Sequence, residues 1–353
     1  MKFLILFFGG IGNAVLLTPA LKALSSLDGG AEIDVVLKDS GALSVLQWSQ
    51  RVSHFYKYDR PNNPRSRLTG RLEIAIRIRS VKYDYLVSTA AFPGKESALA
   101  KVARAGCKVG LRSTWYHNVA FDYLVPFSNE VHESQIYLSL AQAAGATGPV
   151  TLDPPVLPTE DRSFAAEALT AGPEGRPTIG FHVGSSPSLS YKRWPVERFA
   201  EVARSLAGRT GARIVVFGGP VEAQTAAHFK AGLAPGDLID LTGRTSLGQA
   251  AACISRCDLF VSNDSGLAHI AAAAGVATIA VFGPTSVPRS SPLGPKVRVV
   301  SNGGPCPQAL PEMCRECRER FVRSGATPHC LAELPVSKVL AAAEEALEGG
   351  ASR

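Results

Sequence analysis

Three turns in the second half of the chain collect its most chemically capable side chains. Val183-Gly184-Ser185-Ser186 leads to Lys192-Arg193-Trp194-Pro195, Phe217-Gly218-Gly219-Pro220 leads to Glu222, and Ser262-Asn263-Asp264-Ser265-Gly266 leads to His269. Small hydroxyl side chains beside a fixed cation suit a phosphate. Asp264, Ser265 and Gly266 fall where a helix should begin, and the N–H groups and dipole there favour a diphosphate oxygen or a sugar hydroxyl. Taken singly, each has a simpler reading that stays open: Lys192 as a solvated cation, Asp264 as an N-cap, His269 as a core histidine.

A fourth turn, Gly9-Gly10-Ile11-Gly12-Asn13, lets a backbone bend tightly and come close to a ligand, or merely closes a strand–helix connection. The dinucleotide fingerprint G-x-G-x-x-G needs a third glycine where Val15 stands, and no acidic residue ends a second strand at the usual distance. The P-loop pattern is absent as well, which argues against nucleoside triphosphate hydrolysis. Cys306, Cys314, Cys317 and Cys330 follow with seven, two and twelve residues between them. A tetrahedral thiolate site for zinc or iron, free thiols and disulfides all stay open for them, and a metal there would staple the loop 305–331 rather than act on substrate. Cys253 and Cys257 share one face of an Ala-rich helix and are expected in a core, like Cys107.

Positioning these turns requires strands that end together. Short apolar runs alternate with Ala/Leu-rich stretches of helical period, the rhythm of parallel sheets buried on both faces. Strands are expected near Lys2–Phe8, Ile33–Leu37, Tyr85–Ser88 and Lys108–Leu111, with helices near Ala14–Ser26, Gly41–Gln47, Arg67–Val81, Lys95–Ala105 and His132–Ala144. The proline-rich stretch from Gly148 to Pro158 reads as a linker. The rhythm then restarts, with strands near Thr178–His182, Arg213–Phe217, Leu238–Asp240, Leu259–Ser262 and Thr278–Phe282. Helices between them are expected near Asp161–Ala171, Val196–Ala207, Val221–Leu233, Leu247–Ser255 and Leu267–Ala274, and Val336–Leu347 closes the chain. Strand carboxyl ends in an open parallel sheet converge on one crevice, so the Lys192, Glu222 and Asp264 turns should share a ligand.

With 353 residues, 46% of them hydrophobic and 19% charged, the chain is long enough for about two domains with real cores, which excludes disorder, collagen and coiled coil. The formal charge of +7 favours acidic ligands, yet no basic-aromatic cluster supports nucleic acid. The opening apolar run reads as a buried strand rather than a signal peptide. The stretch from His269 to Phe282 falls short of the ~20 residues that span a bilayer. A soluble cytoplasmic protein is the expectation, and seven cysteines at uneven spacing fit that compartment.

In this order the motifs resemble those of glycosyltransferase family nine, the ADP-heptose:lipopolysaccharide heptosyltransferases. The resemblance runs from Phe8-Gly9-Gly10-Ile11-Gly12-Asn13 with Leu17-Thr18-Pro19-Ala20-Leu21 through Tyr83-Asp84, His182-Val183-Gly184-Ser185, Lys192-Arg193-Trp194-Pro195 and Leu241-Thr242-Gly243-Arg244-Thr245-Ser246-Leu247. It ends at Asn263-Asp264-Ser265-Gly266 with His269 and at Phe282-Gly283-Pro284-Thr285. It implies an α/β fold of GT-B architecture, two Rossmann-like parallel-sheet domains facing a cleft. These are an acceptor-side domain over 1–155, a nucleotide-sugar domain with the cysteine loop over 156–335, and a helix over 336–353 packing back on the first domain.

The resemblance also implies an inverting, metal-independent transfer of a heptose or similar sugar from an ADP-sugar to a lipopolysaccharide-core-like acceptor, with no cofactor needed. Lys192, Asp264 and His269 would act on the diphosphate and sugar. Ser185, Ser186, Ser265 and Gly266 would cradle phosphate, Glu222 beside Gly218 would meet the ribose, and Thr242, Thr245, Ser246 and Leu247 would line the base pocket. Gly10, Gly12 and Asn13 would come from the first domain. Asn13 is a departure, since the family's usual Asp is its proposed general base and an amide cannot take a proton near neutral pH. Glu96, Asp264 or His269 could substitute, or the acceptor could need little help. The protein could also bind nucleotide sugar with weak or no turnover, or serve a protein or small-molecule acceptor. Arg65, Arg67, Arg71, Arg77, Arg79, Lys82 and Lys95 fit an anionic glycolipid-like acceptor, with a peripheral contact at the inner membrane among the implied partners, while an ordinary solvated helix face stays open for the arginine run.

Overall fold

The computed structural model describes residues 1–27, 29–57, 64–90, 95–112, 118–170, 175–231, 233, 238–302, 321 and 324–349, with the side chains of 64–68, 95, 96 and 187 also outside the description. The chain divides into two compact units, Met1–Val156 and Leu157–Arg353.

The first unit is built on six parallel strands: β1 (Lys2–Leu6), β2 (Glu32–Leu37), β3 (His54–Lys57), β4 (Lys82–Ser88), β5 (Arg104–Leu111) and β6 (Tyr123–Val125), in the order β3-β2-β1-β4-β5-β6. The central strand is an unbroken apolar run from Phe3 to Leu6, fully buried because helices cover both faces. At the amino end of the sheet the buried Asp34 carboxylate accepts from Tyr83 Oη at 2.9 Å and lies 3.0 Å from His54 Nδ1. Asp153 ties the proline-rich linker to this unit, accepting from Lys22 Nζ at 2.5 Å and Arg51 Nη2 at 2.6 Å.

The second unit repeats the plan with β7 (Thr178–His182), β8 (Arg213–Phe217), β9 (Leu238–Asp240), β10 (Leu259–Asn263), β11 (Ala277–Val281) and β12 (Val297–Val300), in the order β12-β11-β10-β7-β8-β9. Counted from its own first strand, each sheet runs 3-2-1-4-5-6, the doubly wound order, so the switch points lie between β1 and β4 and between β7 and β10. Gly180 is required in the middle of β7, because a Cβ there would fall 2.7 Å from the Phe260 ring. Helix Val196–Thr210 turns Phe199, Val202, Ala203 and Leu206 inward at helical spacing and stops at Gly211, whose φ of 66° suits glycine.

Three expectations change. The terminal helix, Val336–Glu348, was expected on the first domain, but it packs on helix Val196–Thr210 and on β10, β11 and β12 of the second unit. Its apolar stripe explains this: Val339 and Ala343 are buried in the second core, and Arg209 and Arg298 of that unit pair with Glu344 and Glu345. The helix expected over Lys95–Ala105 ends at Val102, because Arg104 already pairs with Lys82 as β5 begins. The strands β3, β6 and β12 add three edges to the two sheets. Among the described residues no helix is long and apolar enough to cross a membrane.

Candidate functional site

The best-formed site lies at the carboxyl ends of β7, β8, β10 and β11, around the switch point of the second sheet. Asn263, the last residue of β10, locks the turn after β7 in place. Its Oδ1 accepts from Trp194 N at 2.8 Å, and its Nδ2 donates to the carbonyls of Val183 at 2.9 Å and Gly184 at 3.2 Å. Trp194 is held in turn by its indole N–H on Leu334 O at 3.2 Å and by edge packing on Phe199. Two residues before this anchor, Lys192 reaches Asp264, with Nζ 2.6 Å from Oδ2. Thr285 Oγ1, from the turn after β11, donates to the same oxygen at 2.8 Å. Asp264 is 6% exposed, so the pair fixes one cation beside the first residues of helix Gly266–Ala273, where Ser265 is the N-cap. His269 is buried one turn into that helix.

Ser185 has a different use from the one expected. It is buried, its hydroxyl donates to Leu189 O at 2.9 Å and accepts from Arg193 Nε at 3.1 Å, so it shapes the loop. Ser186 is exposed, with its Oγ 3.2 Å from Ser188 Oγ.

Glu222 follows the β8 turn. Its carboxylate accepts from Gly219 N at 2.7 Å, lies 3.2 Å from His182 Nε2, and rests against Gly184 and Gly218, where a Cβ would collide with it or crowd it. Burial alone would push this carboxyl up, but the His182 hydrogen bond and charge, the Gly219 N–H and Arg193 outweigh it and hold it below the ordinary carboxylate range. Thr242 packs its methyl group toward Gly218 and donates its N–H to Asp240 Oδ1 at 3.0 Å. Ser246 caps helix Leu247–Ile254 in a reciprocal box with Gln249, so its hydroxyl is held by the helix it starts, while Leu247 is half-buried.

Lys192, Asp264, His269, Ser265, Gly266, Gly218, Glu222 and Thr242 thus stand on one sheet's carboxyl edge. Gly10, Gly12 and Asn13 stand on the first unit, at the start of helix Ile11–Ser25, whose first turn carries no acid. Asn13 Nδ2 donates to Tyr137 Oη at 3.2 Å, and Tyr137 donates to Glu133 Oε1 at 2.8 Å. Of the cysteine quartet, Cys306, Cys314 and Cys317 lie outside the described residues, as do the side chains of Arg65, Arg67, Lys95 and Glu96. Cys330 is half-buried against the second core. Sequence reasoning assigned no role to His182, Arg193, Asn263 or Thr285. Each sits in a quoted motif at a strand end, which was the available signal.

A model of glycosyltransferase family 9 (heptosyltransferase) matches residues 71–320. Lipopolysaccharide heptosyltransferase 2 of Escherichia coli is 34% identical over 143 residues, and the match spans 40% of this chain and 40% of that protein's length. Among solved structures, the family 9 glycosyl transferase from Veillonella parvula superposes with a TM-score of 0.83 at 24% identity, over 99% of this chain and 97% of that one. The E. coli ADP-heptose lps heptosyltransferase II superposes with 0.78 at 21% identity over the whole of both chains. With most of its length under the family model and two sheets of the same α/β GT-B class, the chain belongs to glycosyltransferase family 9, the heptosyltransferases.

Proposed function

We propose that the protein is an inverting, metal-independent glycosyltransferase that moves a heptose, or a closely similar sugar, from an ADP-sugar to a lipopolysaccharide-core-like acceptor. The observation that carries this reading is Lys192, fixed by an Asp264 carboxylate that Thr285 braces in turn, beside a helix N-terminus at the switch point. In sugar transfer the acceptor oxygen bonds to the anomeric carbon while the bond from that carbon to the diphosphate oxygen breaks, and ADP leaves with the electron pair. A preorganised cation there stabilises the departing charge, the task a divalent metal performs in other transferases. Glu222 receives the ribose hydroxyls, and Thr242 with Leu247 borders the base. The acceptor proton goes to a group other than Asn13, whose amide holds no base. Asp264 and His269 are the described candidates. The names of the E. coli relative and of the structural neighbour support the donor and acceptor classes.

In this reading the enzyme works at the cytoplasmic face of the inner membrane. Support comes from helix Pro64–Ser80, where Leu72 and Ile76 stand 54% and 68% exposed one turn apart beside Arg77 and Arg79. The deciding experiment incubates wild type, Lys192→Ala and Asn13→Asp with ADP-heptose and a panel of heptose-deficient core acceptors, reading ADP release and product mass. Wild type should transfer, and Lys192→Ala should lose about 10²–10³-fold in kcat. If wild type binds ADP-heptose without transfer while Asn13→Asp transfers, the natural protein is a binding member of its family. No binding of the nucleotide sugar overturns both readings.

A further inference from the structure

The carboxylate that the preceding reading gives to the ribose is itself held by an imidazole with no role so far. His182 is the last residue of β7 and 5% exposed, while Glu222 follows β8 and is 8% exposed. Nε2 of His182 lies 3.2 Å from Oε1 and 3.4 Å from Oε2 of Glu222, and Nδ1 lies 2.9 Å from Ser265 Oγ. Ser265 is itself braced, 2.8 Å from Ser262 Oγ on β10. An ionised carboxylate only accepts, so Nε2 carries a proton toward Glu222 and Nδ1 is left to the Ser265 hydroxyl. The imidazole is therefore fastened at both nitrogens, between the strand-end turns of β8 and β10.

Glu222 has about four acceptor positions, and His182 and the Gly219 N–H occupy two of them. Behind the carboxylate stand Gly184 and Gly218, which leave room for it only because neither has a side chain. The remaining acceptor capacity is thus presented in one orientation before any ligand arrives, the preorganisation that spares binding the cost of ordering a side chain.

We infer that His182, anchored by Ser265, is a positioning residue that aims the Glu222 carboxylate at the ribose hydroxyls of the nucleotide. The inference rests on the donor reading above and adds to it the group that selects for a hydroxylated ribose. A histidine that merely filled the core would affect stability and every ligand alike. One that aims Glu222 acts on ligands with ribose hydroxyls and leaves others untouched.

The test is calorimetric titration of the full-length protein with ADP and with 2′,3′-dideoxy-ADP, comparing wild type with His182→Leu, Glu222→Gln and the double variant. Wild type should prefer ADP by about tenfold or more, the scale of a charge-assisted hydrogen bond. H182L should lose most of that preference by weakening ADP alone. The double variant should lose no more than Glu222→Gln does, since the two side chains act as one unit. Should H182L not fold, Ser265→Ala carries the test. It removes the Nδ1 anchor at a half-exposed position, and the ADP preference should shrink severalfold whatever happens to diphosphate affinity, which the ratio cancels. An unchanged preference in these variants, or equal weakening of both ligands, overturns the inference and leaves the donor reading standing. A wild type that binds ADP no better than the dideoxy analogue removes Glu222 from the ribose and the inference with it. A wild type that binds neither nucleotide overturns the donor reading itself.

Discussion

Asn13 shows how much a single atom changes a local circuit. As an amide it donates to Tyr137, which leaves the tyrosine proton for Glu133. An aspartate at this position would accept instead, and two carboxylates would then compete for one hydroxyl. The substitution is therefore accommodated by its neighbours rather than isolated among them. Glu222 gives the clearest pH signature. Its folded pKa lies below the ordinary carboxylate value of ~4.3, so its contribution is fully present above that value and is lost as pH falls through the folded pKa. Melting temperatures of wild type and Glu222→Gln should accordingly differ at neutral pH and converge as acid takes the solution below the ordinary carboxylate range. A gap that persists unchanged in acid would show that the ionised carboxylate is not the source of the difference. The placing of Lys192, Asp264 and Glu222 at the carboxyl edge of one sheet was legible in the sequence because strand-end turns advertise themselves by glycine and small polar residues. The contact of His182 with Glu222 was not, because the two lie 40 positions apart and nothing in the order of residues says which way an imidazole faces.

At the scale of elements, the buried strands were readable and three of the four sheet edges were not. β7 and β8 stand within the residues expected, and β10 extends one residue further, since continuous apolar runs leave few alternatives; the half-buried edge β9 was also read, from Leu238 and Ile239. The three strands that escaped notice, β3, β6 and β12, are all sheet edges. An edge strand is short and covered less completely, so its composition need not be apolar: His54-Phe55-Tyr56-Lys57 is exposed at both ends. The terminal helix was misplaced for a related reason, because an apolar stripe states that a helix packs without stating on what. The Asp34 cluster yields a prediction at this scale. It joins β2, β3 and β4 through a fully buried carboxylate, and Asp34→Ala would leave the buried Tyr83 hydroxyl only a 3.5 Å contact with Tyr56 Oη. Urea unfolding should report a loss of about 2–3 kcal/mol. Glu32→Ala, which breaks a half-exposed pair with Lys2, should cost under about 1 kcal/mol. Equal losses for the two would contradict this account of the cluster.

The whole molecule carries 37 basic against 30 acidic residues, and part of that excess lies on helix Pro64–Ser80 beside exposed Leu72 and Ile76. Two exposed apolar side chains with flanking arginines suit weak, reversible contact with an anionic lipid surface. Co-sedimentation with phosphatidylglycerol-containing vesicles should therefore exceed that with neutral vesicles and fall as salt rises to ~0.5 M. Leu72→Ser with Ile76→Ser should weaken binding severalfold, and unchanged sedimentation would remove this helix from the contact.

The repeated strand order has a consequence in time. All six strands of the first sheet lie before Val156, and none is borrowed from the second. During synthesis, which proceeds from the amino end at about 5–20 residues per second, the first sheet can therefore close while the second is still being made. The half that bears Arg77, Arg79, Leu72 and Ile76 is complete first, and a nascent chain can present this basic, apolar helix face seconds before its second sheet exists.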